Sequence, residues 1–353
     1  MRPQDIHQLI RRFNLNLTGL TVYTEAASGA YLLCPILAAL AGAEKVYAQT
    51  RDSRFGKVDE IRKATMAAAR EYDVANRVEV LTERCHRSLA ESDIVTNSGF
   101  VRPIDRNLIS ALKPTAVIPL MWETWEFRSS DFDLDLCKER GILVLGTNEQ
   151  EEPCDMRLFI GLCALKLLFD LGFDGGKVLV LGNASIPAGT IVEHLRRTGI
   201  EVTWFSAEQE GDFRYEDLAK HFQSHGGEYD LMMLAEHKHH FPLLGQGGLL
   251  DFKSISEINP ALKIGVISGN LSVSELKNSG LRYLPDHIAP AGFMSYQPYM
   301  MGPRPVLTLY AGGLKVGEAM AQARLRGLSP NASVVEAMAA SPAMDFPGSL
   351  SWV

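Results

Sequence analysis

Short apolar runs alternate with segments whose apolar residues recur every three to four positions, almost from one end of the chain to the other. The short runs read as buried strands and the periodic segments as amphipathic helices. An opening helix is expected at 4–12, then strand 20–24, helix 31–41, strand 45–50, helix 58–72 and strands 78–81 and 94–96. Helix 103–112 and strands 116–120 and 143–146 complete this first series. An apolar helix at 156–171 leads into a second series, with strands 178–181, 202–205, 231–234, 264–268 and 281–284. Helices at 190–197, 215–222, 252–258 and 272–278 separate them. A last helical region covers 307–327, and 328–353 reads as a short helical piece with an irregular tail. Strands separated by helices of about a dozen residues imply parallel sheets covered on both faces. The expected fold is therefore α/β, with two doubly wound, Rossmann-like domains and a cleft between them.

The most regular unit is 177–205: an apolar strand, a glycine turn, a helix, Gly199 and a second strand. In such a βαβ unit the first turn usually receives a phosphate at the helix N-terminus. Here that turn is Gly182-Asn-Ala-Ser-Ile-Pro-Ala-Gly189, and Asn183 and Ser185 add side-chain donors to its main chain.

Composition narrows the partners. A chain of 353 residues is long for one core, which agrees with two domains. Net charge is −7 without long runs of either sign, so the basic footprint that nucleic acid requires is missing. The start, Met1-Arg-Pro-Gln-Asp-Ile-His7, lacks the apolar core of a signal peptide. The most apolar stretch, 158–171, is too short to span a bilayer and carries Lys166 and Asp170. Cys34, Cys85, Cys137, Cys154 and Cys163 are scattered without a CxxC pair, as expected of reduced thiols in a cytoplasmic protein.

Several segments carry a resemblance. They are 92–109, beginning Ser92-Asp-Ile-Val-Thr-Asn-Ser-Gly99; 133–144, beginning Asp133-Leu-Asp-Leu-Cys137; 229–234; 254–269; and Pro285-Asp-His-Ile-Ala289. In this order they resemble the D-2-hydroxyacid dehydrogenase and formate/glycerate dehydrogenase superfamily. S-adenosylhomocysteine hydrolase and alanine dehydrogenase share its general layout. The resemblance implies a substrate domain at 1–148 plus 302–353, a nucleotide-binding domain at 149–301, and a 307–327 helix packed on the N-terminal unit. It implies an NAD(P)-dependent oxidoreductase, usually homodimeric, acting on a small polar substrate in the cleft, with His287 as its acid/base group. NADP or NAD would lie against Gly182, Asn183, Ala184, Ser185, Ile186 and Pro187, with Ser206, Ser268 and Gly269 at the neighbouring strand ends.

The chain departs from that pattern at defined places. The turn is two residues longer than GxGxxG, with Ala184 at the position of the second glycine. Ser206-Ala207 stands where an acidic residue would bind the ribose diol, which favours NADP. Ser268-Gly269 replaces the arginine that clamps a 2-keto-carboxylate, and no counterpart of the histidine's glutamate partner is apparent.

Strand carboxyl ends line the crevice in wound sheets, so Glu25, Asn97, Ser98 and Gly99 are expected to meet substrate, Glu25 also as a catalytic group. Glu123, Glu126 and Arg128, in an aromatic and charged run, either hold a polar substrate or form an internal ion-pair lattice. The turn from Tyr23 to Tyr31, with Ser28, Gly29 and the later Asp52, vaguely resembles the first motif of S-adenosylmethionine methyltransferases; otherwise Glu25 and Asp52 are caps. An alternative reading is therefore a transferase or lyase using S-adenosylmethionine, and a third is a non-catalytic small-molecule binding protein. His237 and His239 alternate but lack further ligand spacing, so a solvated loop and no metal are expected. The Met- and Tyr-rich segment 289–303 reads as a lid or a contact with a second copy.

Overall fold

Strands that are apolar on both sides need helices above and below them, and the chain meets that need twice. The computed structural model describes residues 3–183 and 186–353. It divides into two compact units, Met1–Met156 with Met301–Val353, and Arg157–Met300. The first begins with α1 (Pro3–Arg12), β1 (Thr21–Glu25), α2 (Cys34–Leu40), β2 (Lys45–Gln49), α3 (Val58–Glu71) and β3 (Val78–Leu81). It continues through α4 (His86–Glu91), β4 (Ile94–Val95), α5 (Arg106–Ala111), β5 (Val117–Pro119), α6 (Leu134–Glu139) and β6 (Leu143–Thr147). The second comprises α7 (Arg157–Asp170), β7 (Lys177–Gly182), α8 (Ala188–Arg197), β8 (Glu201–Ser206), β9 (Phe213–Arg214), α9 (Leu218–His225) and β10 (Tyr229–Ala235). After them come β11 (Pro242–Leu244), α10 (Phe252–Ile258), β12 (Lys263–Ser268), β13 (Asn270–Leu271), α11 (Val273–Asn278) and β14 (Arg282–Leu284). The chain then returns to the first unit with α12 (Pro303–Leu325), α13 (Pro330–Ala340) and β15 (Ala343–Met344).

The first unit's sheet runs β15-β6-β5-β4-β1-β2-β3 and is parallel except for β15 against β6. Alternation along β1 sends Val22 into a core with Ile6, Ile36 and Leu314, and Tyr23 into the core on the other face with Leu108 and Ile118. α12 supplies Leu307, Tyr310, Ala311, Leu314 and Met320 to the first of these cores, as expected for the 307–327 helix. It comes close to the sheet because Gly312 and Gly317 carry no side chain. A Cβ on Gly312 would lie 2.5 Å from Cys154 Sγ, and one on Gly317 3.0 Å from Ile94 and Pro119.

The second unit's main sheet runs β14-β12-β10-β7-β8-β9, with β11 and β13 forming a small parallel pair apart from it. Leu179, Leu181, Leu234 and Val266 share one core with Phe205 and Phe222. On the opposite face α7 lies against Gly265, where an added Cβ would meet Leu167 at 3.0 Å.

Proline and aspartate set several boundaries that periodicity misplaced. Pro35 in the first turn starts α2 at Cys34, leaving Gly29–Tyr31 as a separate 3-10 turn. Asp105 accepts from Leu108 N and starts α5 three residues beyond Pro103. Asp133 caps α6 in the same way, in a stretch where no helix was expected. Strands β9, β11, β13 and β15 have only two or three residues, too short to carry a period. Among the described residues no helix is long and apolar enough to cross a membrane.

The close approach of α12 has a measurable consequence. Gly312→Ala is expected to destabilise the protein by about 1–3 kcal/mol, because the buried Cys154 and Thr147 leave the methyl no room. Urea denaturation compared with wild type measures this, and an unchanged midpoint would rule out the packing account.

Candidate functional site

Each sheet contains one point where the strand order reverses. In the first unit the chain runs β1, β2, β3 toward one edge and then returns to the other side of β1 with β4. Connections leaving β1 and β4 therefore diverge and open a crevice at their carboxyl ends. Glu25 ends β1 there, 6% exposed, and its Oε2 accepts from Phe100 N at 3.0 Å. Gly99 lies directly against that oxygen, an added Cβ falling 3.3 Å away. Burial pushes the Glu25 carboxyl above its usual range, and the Phe100 N–H and the charges of Arg102 and Arg51 only partly oppose this.

Hydroxyls bridge the same reversal. Tyr310 OH and Thr96 Oγ1 each donate to Thr24 Oγ1 at 2.9 Å, and Ser98 Oγ is 2.7 Å from Thr96 Oγ1. Asn97 is 1% exposed; its Oδ1 accepts from Met121 N at 2.8 Å, across to the chain leaving β5. Its Nδ2 is buried with no hydrogen-bond partner among the described residues. The structure brings Glu25, Asn97, Ser98 and Gly99 to one rim.

Beside this rim, Arg102 and Arg128 both donate to Asp131 Oδ2, at 2.9 and 3.1 Å, and both guanidiniums lie over the Trp122 ring, 4.9 and 5.3 Å from its centre. Arg102 Nε and Trp122 Nε1 are buried without partners. These Arg102 and Trp122 donors were not singled out in the sequence; their stacking joins loops some twenty residues apart. Glu123 is held inside the fold. Its Oε2 accepts from Trp125 Nε1 at 2.6 Å, and its Oε1 from Glu149 N at 3.1 Å and Gln150 Nε2 at 3.2 Å. Within this run Arg128 has an ion-pair partner in Asp131, while Glu123 is held by Trp125, Gln150 and the main chain. Burial, with Glu126 and Glu123 nearby, raises the Glu149 carboxyl well above its usual range. Asp52 is a cap: Oδ1 accepts from Val58 N and Oδ2 from Lys57 Nζ, both at 2.9 Å.

In the second unit the reversal falls between β7 and β10. Gly182 ends β7, and a Cβ there would lie 2.5 Å from Ala235 O, so the two strand ends come together at their main chains. Asn183, fully buried, closes the turn: Nδ2 donates to Ile186 O at 2.8 Å and Oδ1 accepts from His237 N at 3.1 Å. Both ends of its amide thus have partners within the fold, where the sequence reading had it donate to a ligand. Ala184 and Ser185 lie outside the described residues. Pro187 stands at the N-cap of α8 and lends no side-chain bond to the first turn, whose N–H groups have no partners within a helix.

At the end of β8, Ser206 Oγ accepts from Glu208 N at 3.1 Å and closes the following turn. Ser268, at the end of β12, is buried with its Oγ unpartnered, and Gly269 follows at φ +138°. Ser268 pairs with Met294, and Ser295 N donates to Ile267 O at 2.6 Å. The Met- and Tyr-rich segment is therefore pinned to this strand end. His287 is exposed and makes no hydrogen bond to a described residue, so no described neighbour fixes its ring. In the histidine loop, Glu236 is buried and accepts from Tyr215 OH at 2.9 Å, Lys238 N at 3.1 Å and His239 N at 3.0 Å.

No protein-family model and no curated protein matches the sequence. Among solved structures, the chain is similar to one of the subunits of dipicolinate synthase from Bacillus halodurans, with a TM-score of 0.51 and 11% identity over 84% of this chain and 96% of that one. It is also similar to a 2-hydroxyacid dehydrogenase from Ketogulonicigenium vulgare (TM-score 0.44, 12% identity, 88% and 96% covered). A third is the NAD-complexed D-isomer specific 2-hydroxyacid dehydrogenase from Lactobacillus delbrueckii ssp. bulgaricus (0.43, 10%, 87% and 97%). The first of these likenesses is one of fold: two wound α/β units in a single chain, as the sequence implied.

Glu25 gives a pH test of the first rim. A carboxyl raised in the folded state stabilises the fold below its ordinary value near 4.5, and that contribution is lost as pH rises through the folded value. Glu25→Gln keeps an acceptor for Phe100 N but cannot ionise. Its melting temperature is expected to exceed that of wild type at pH 7.5, with the gap closing toward pH 4.5. A gap independent of pH would show that the burial of Glu25 carries no charge penalty.

Proposed function

We propose that the protein is a nicotinamide-nucleotide-dependent oxidoreductase, with NADP favoured over NAD, whose second unit holds the cofactor and whose first unit holds a small polar substrate. The observation that carries this reading is the N-terminus of α8, without a side-chain cap, at the strand-order reversal of the second sheet. Gly182 allows the close main-chain approach such a turn needs, and the unpartnered Ser268 hydroxyl at the end of β12 is a further donor suited to a polar ligand. The absence of a carboxylate at Ser206 supports NADP, because a ribose 2′-phosphate would be repelled by one.

Each part of the chain has a role in this reading. The first-turn N–H groups of α8 hold the diphosphate through main-chain donors and the positive end of the helix dipole. When bound, the nicotinamide donates or accepts a hydride. Asn97 and Ser98 orient the substrate, and the buried Glu25 carboxyl takes up a proton from it. Glu25 supports this role better than His287, which is exposed and unanchored. Leu158, Leu162 and Phe169 are exposed along one side of α7 and support a homodimer. Five unpaired thiols support a cytoplasmic setting.

Thermal melts with NADPH, NADH and S-adenosylmethionine test the cofactor assignment. NADPH at about one hundred times its Kd is expected to add about 2.7 kcal/mol of stability. Gly189→Asp places a carboxylate in the first turn of α8. It is expected to stabilise the protein alone by about 0.3–1 kcal/mol and to abolish the NADPH response. Stabilisation by S-adenosylmethionine alone, or by none of the three, would overturn the assignment.

A further inference from the structure

We propose that the strand-order reversal of the first unit binds an aminocarboxylate, with the ligand's ammonium at Glu25 and its carboxylate at Asn97 and Arg102. This rests on reading the first unit as the substrate unit, and it specifies the substrate class; it does not depend on the nucleotide.

The rim offers groups of both kinds. An ionised carboxyl only accepts hydrogen bonds, and Glu25 is buried with Phe100 N as the donor nearest Oε2. Its partner in a ligand is therefore a donor, and burial makes a cationic donor the best one. Asn97 Nδ2 and Arg102 Nε are the opposite case: buried donors with no acceptor. Arg102 is held in place by Asp131 and by the Trp122 ring. Its charge acts on Glu25, so the acid and this donor lie in one neighbourhood.

Glu25 ends β1 and Asn97 lies just after β4; the two strands are hydrogen-bonded neighbours, and neighbouring strands are about 4.8 Å apart. A small molecule thus reaches both. A 2-oxo acid would set an acceptor against Glu25, and a simple amine would leave the two donors unmet. A zwitterion answers both.

Four groups face Glu25: Cys34 of α2, Tyr310 of α12, Arg51 after β2 and Arg102 after β4. The carboxyl, raised by its burial, ionises as the ammonium arrives and gives up a proton to solvent.

Titration calorimetry of the full chain without nucleotide provides the test, with the twenty standard L-amino acids and the 2-oxo acid matching each one that binds. At least one amino acid is expected to bind about tenfold or more tightly than its 2-oxo counterpart. Its enthalpy is expected to vary with the buffer's ionisation enthalpy, as proton release requires. Glu25→Gln should remove both the preference and the proton release, and Asn97→Ala should weaken the amino acid about tenfold. The proposal fails if no amino acid binds wild type, if the 2-oxo acids bind as tightly, or if proton release persists in a folded Glu25→Gln variant. The wild-type comparison needs no variant to fold. Failure here with the NADPH response intact removes only the substrate class; loss of that response with amino-acid binding intact removes only the redox reading.

Discussion

A parallel sheet whose strand order reverses has a gap at one place on its carboxyl edge, because the connections there depart to opposite faces. Polar groups at that gap have few partners within the fold, and any left buried and unpaired cost free energy. The two units meet this constraint differently. In the second, Asn183 bridges the reversal itself, reaching from the turn after β7 to the main chain just beyond β10. In the first, the comparable asparagine does not span the reversal: Asn97 Oδ1 accepts from the chain leaving β5, its Nδ2 stays unpaired among the described residues, and hydroxyls, Glu25 and the Thr96 N–H bridge the β1–β4 side. One gap is closed by an amide, while the other keeps a buried acid and unspent donors.

This difference bears on how each unit is able to hold a ligand. With both Asn183 side-chain atoms engaged, the donors that the described part of this turn offers are main-chain N–H groups, which favour an anion without reading its identity. That explains how a turn lacking the GxGxxG glycines remains compatible with a phosphate: the helix supplies the donors whatever side chains precede it. The first unit presents side chains of defined sign and fixed position. Asp131 holds Arg102, and Trp122 lies between Arg102 and Arg128, so that guanidinium is oriented before any ligand arrives.

Much of the architecture was legible in the sequence because it depends on local pattern. Apolar runs and helical periods place the strands, and strand carboxyl ends then locate Glu25, Asn97 and Ser98 without knowledge of their partners. Asp52 reads as a cap because its contacts lie five and six residues away. What the sequence concealed depends on distant pairing. The commitment of Asn183 requires His237, 54 positions on, and the lattice around Glu123 requires Glu149 and Gln150, which meet it only once β6 has paired with β5. Resemblance located a histidine at 287, but a proton-transferring imidazole also needs a neighbour to set its tautomer, and no motif at 285–289 encodes one.

The position of the proton follows from the same constraint. An exposed imidazole exchanges protons with water and gains no direction from the protein, whereas a carboxyl enclosed at a strand end is held in one orientation and has an altered affinity for its proton. Enclosing Glu25 works against stability at neutral pH, since burial opposes its ionised form and the nearby arginines recover only part of that cost. An alanine or glutamine at position 25 would avoid the penalty and leave the strand intact. A fold that retains an acid there, next to a buried amide donor without a partner, retains two unfavourable features at one rim. Both are relieved by a single event, the arrival of a ligand carrying a donor for the acid and an acceptor for the amide.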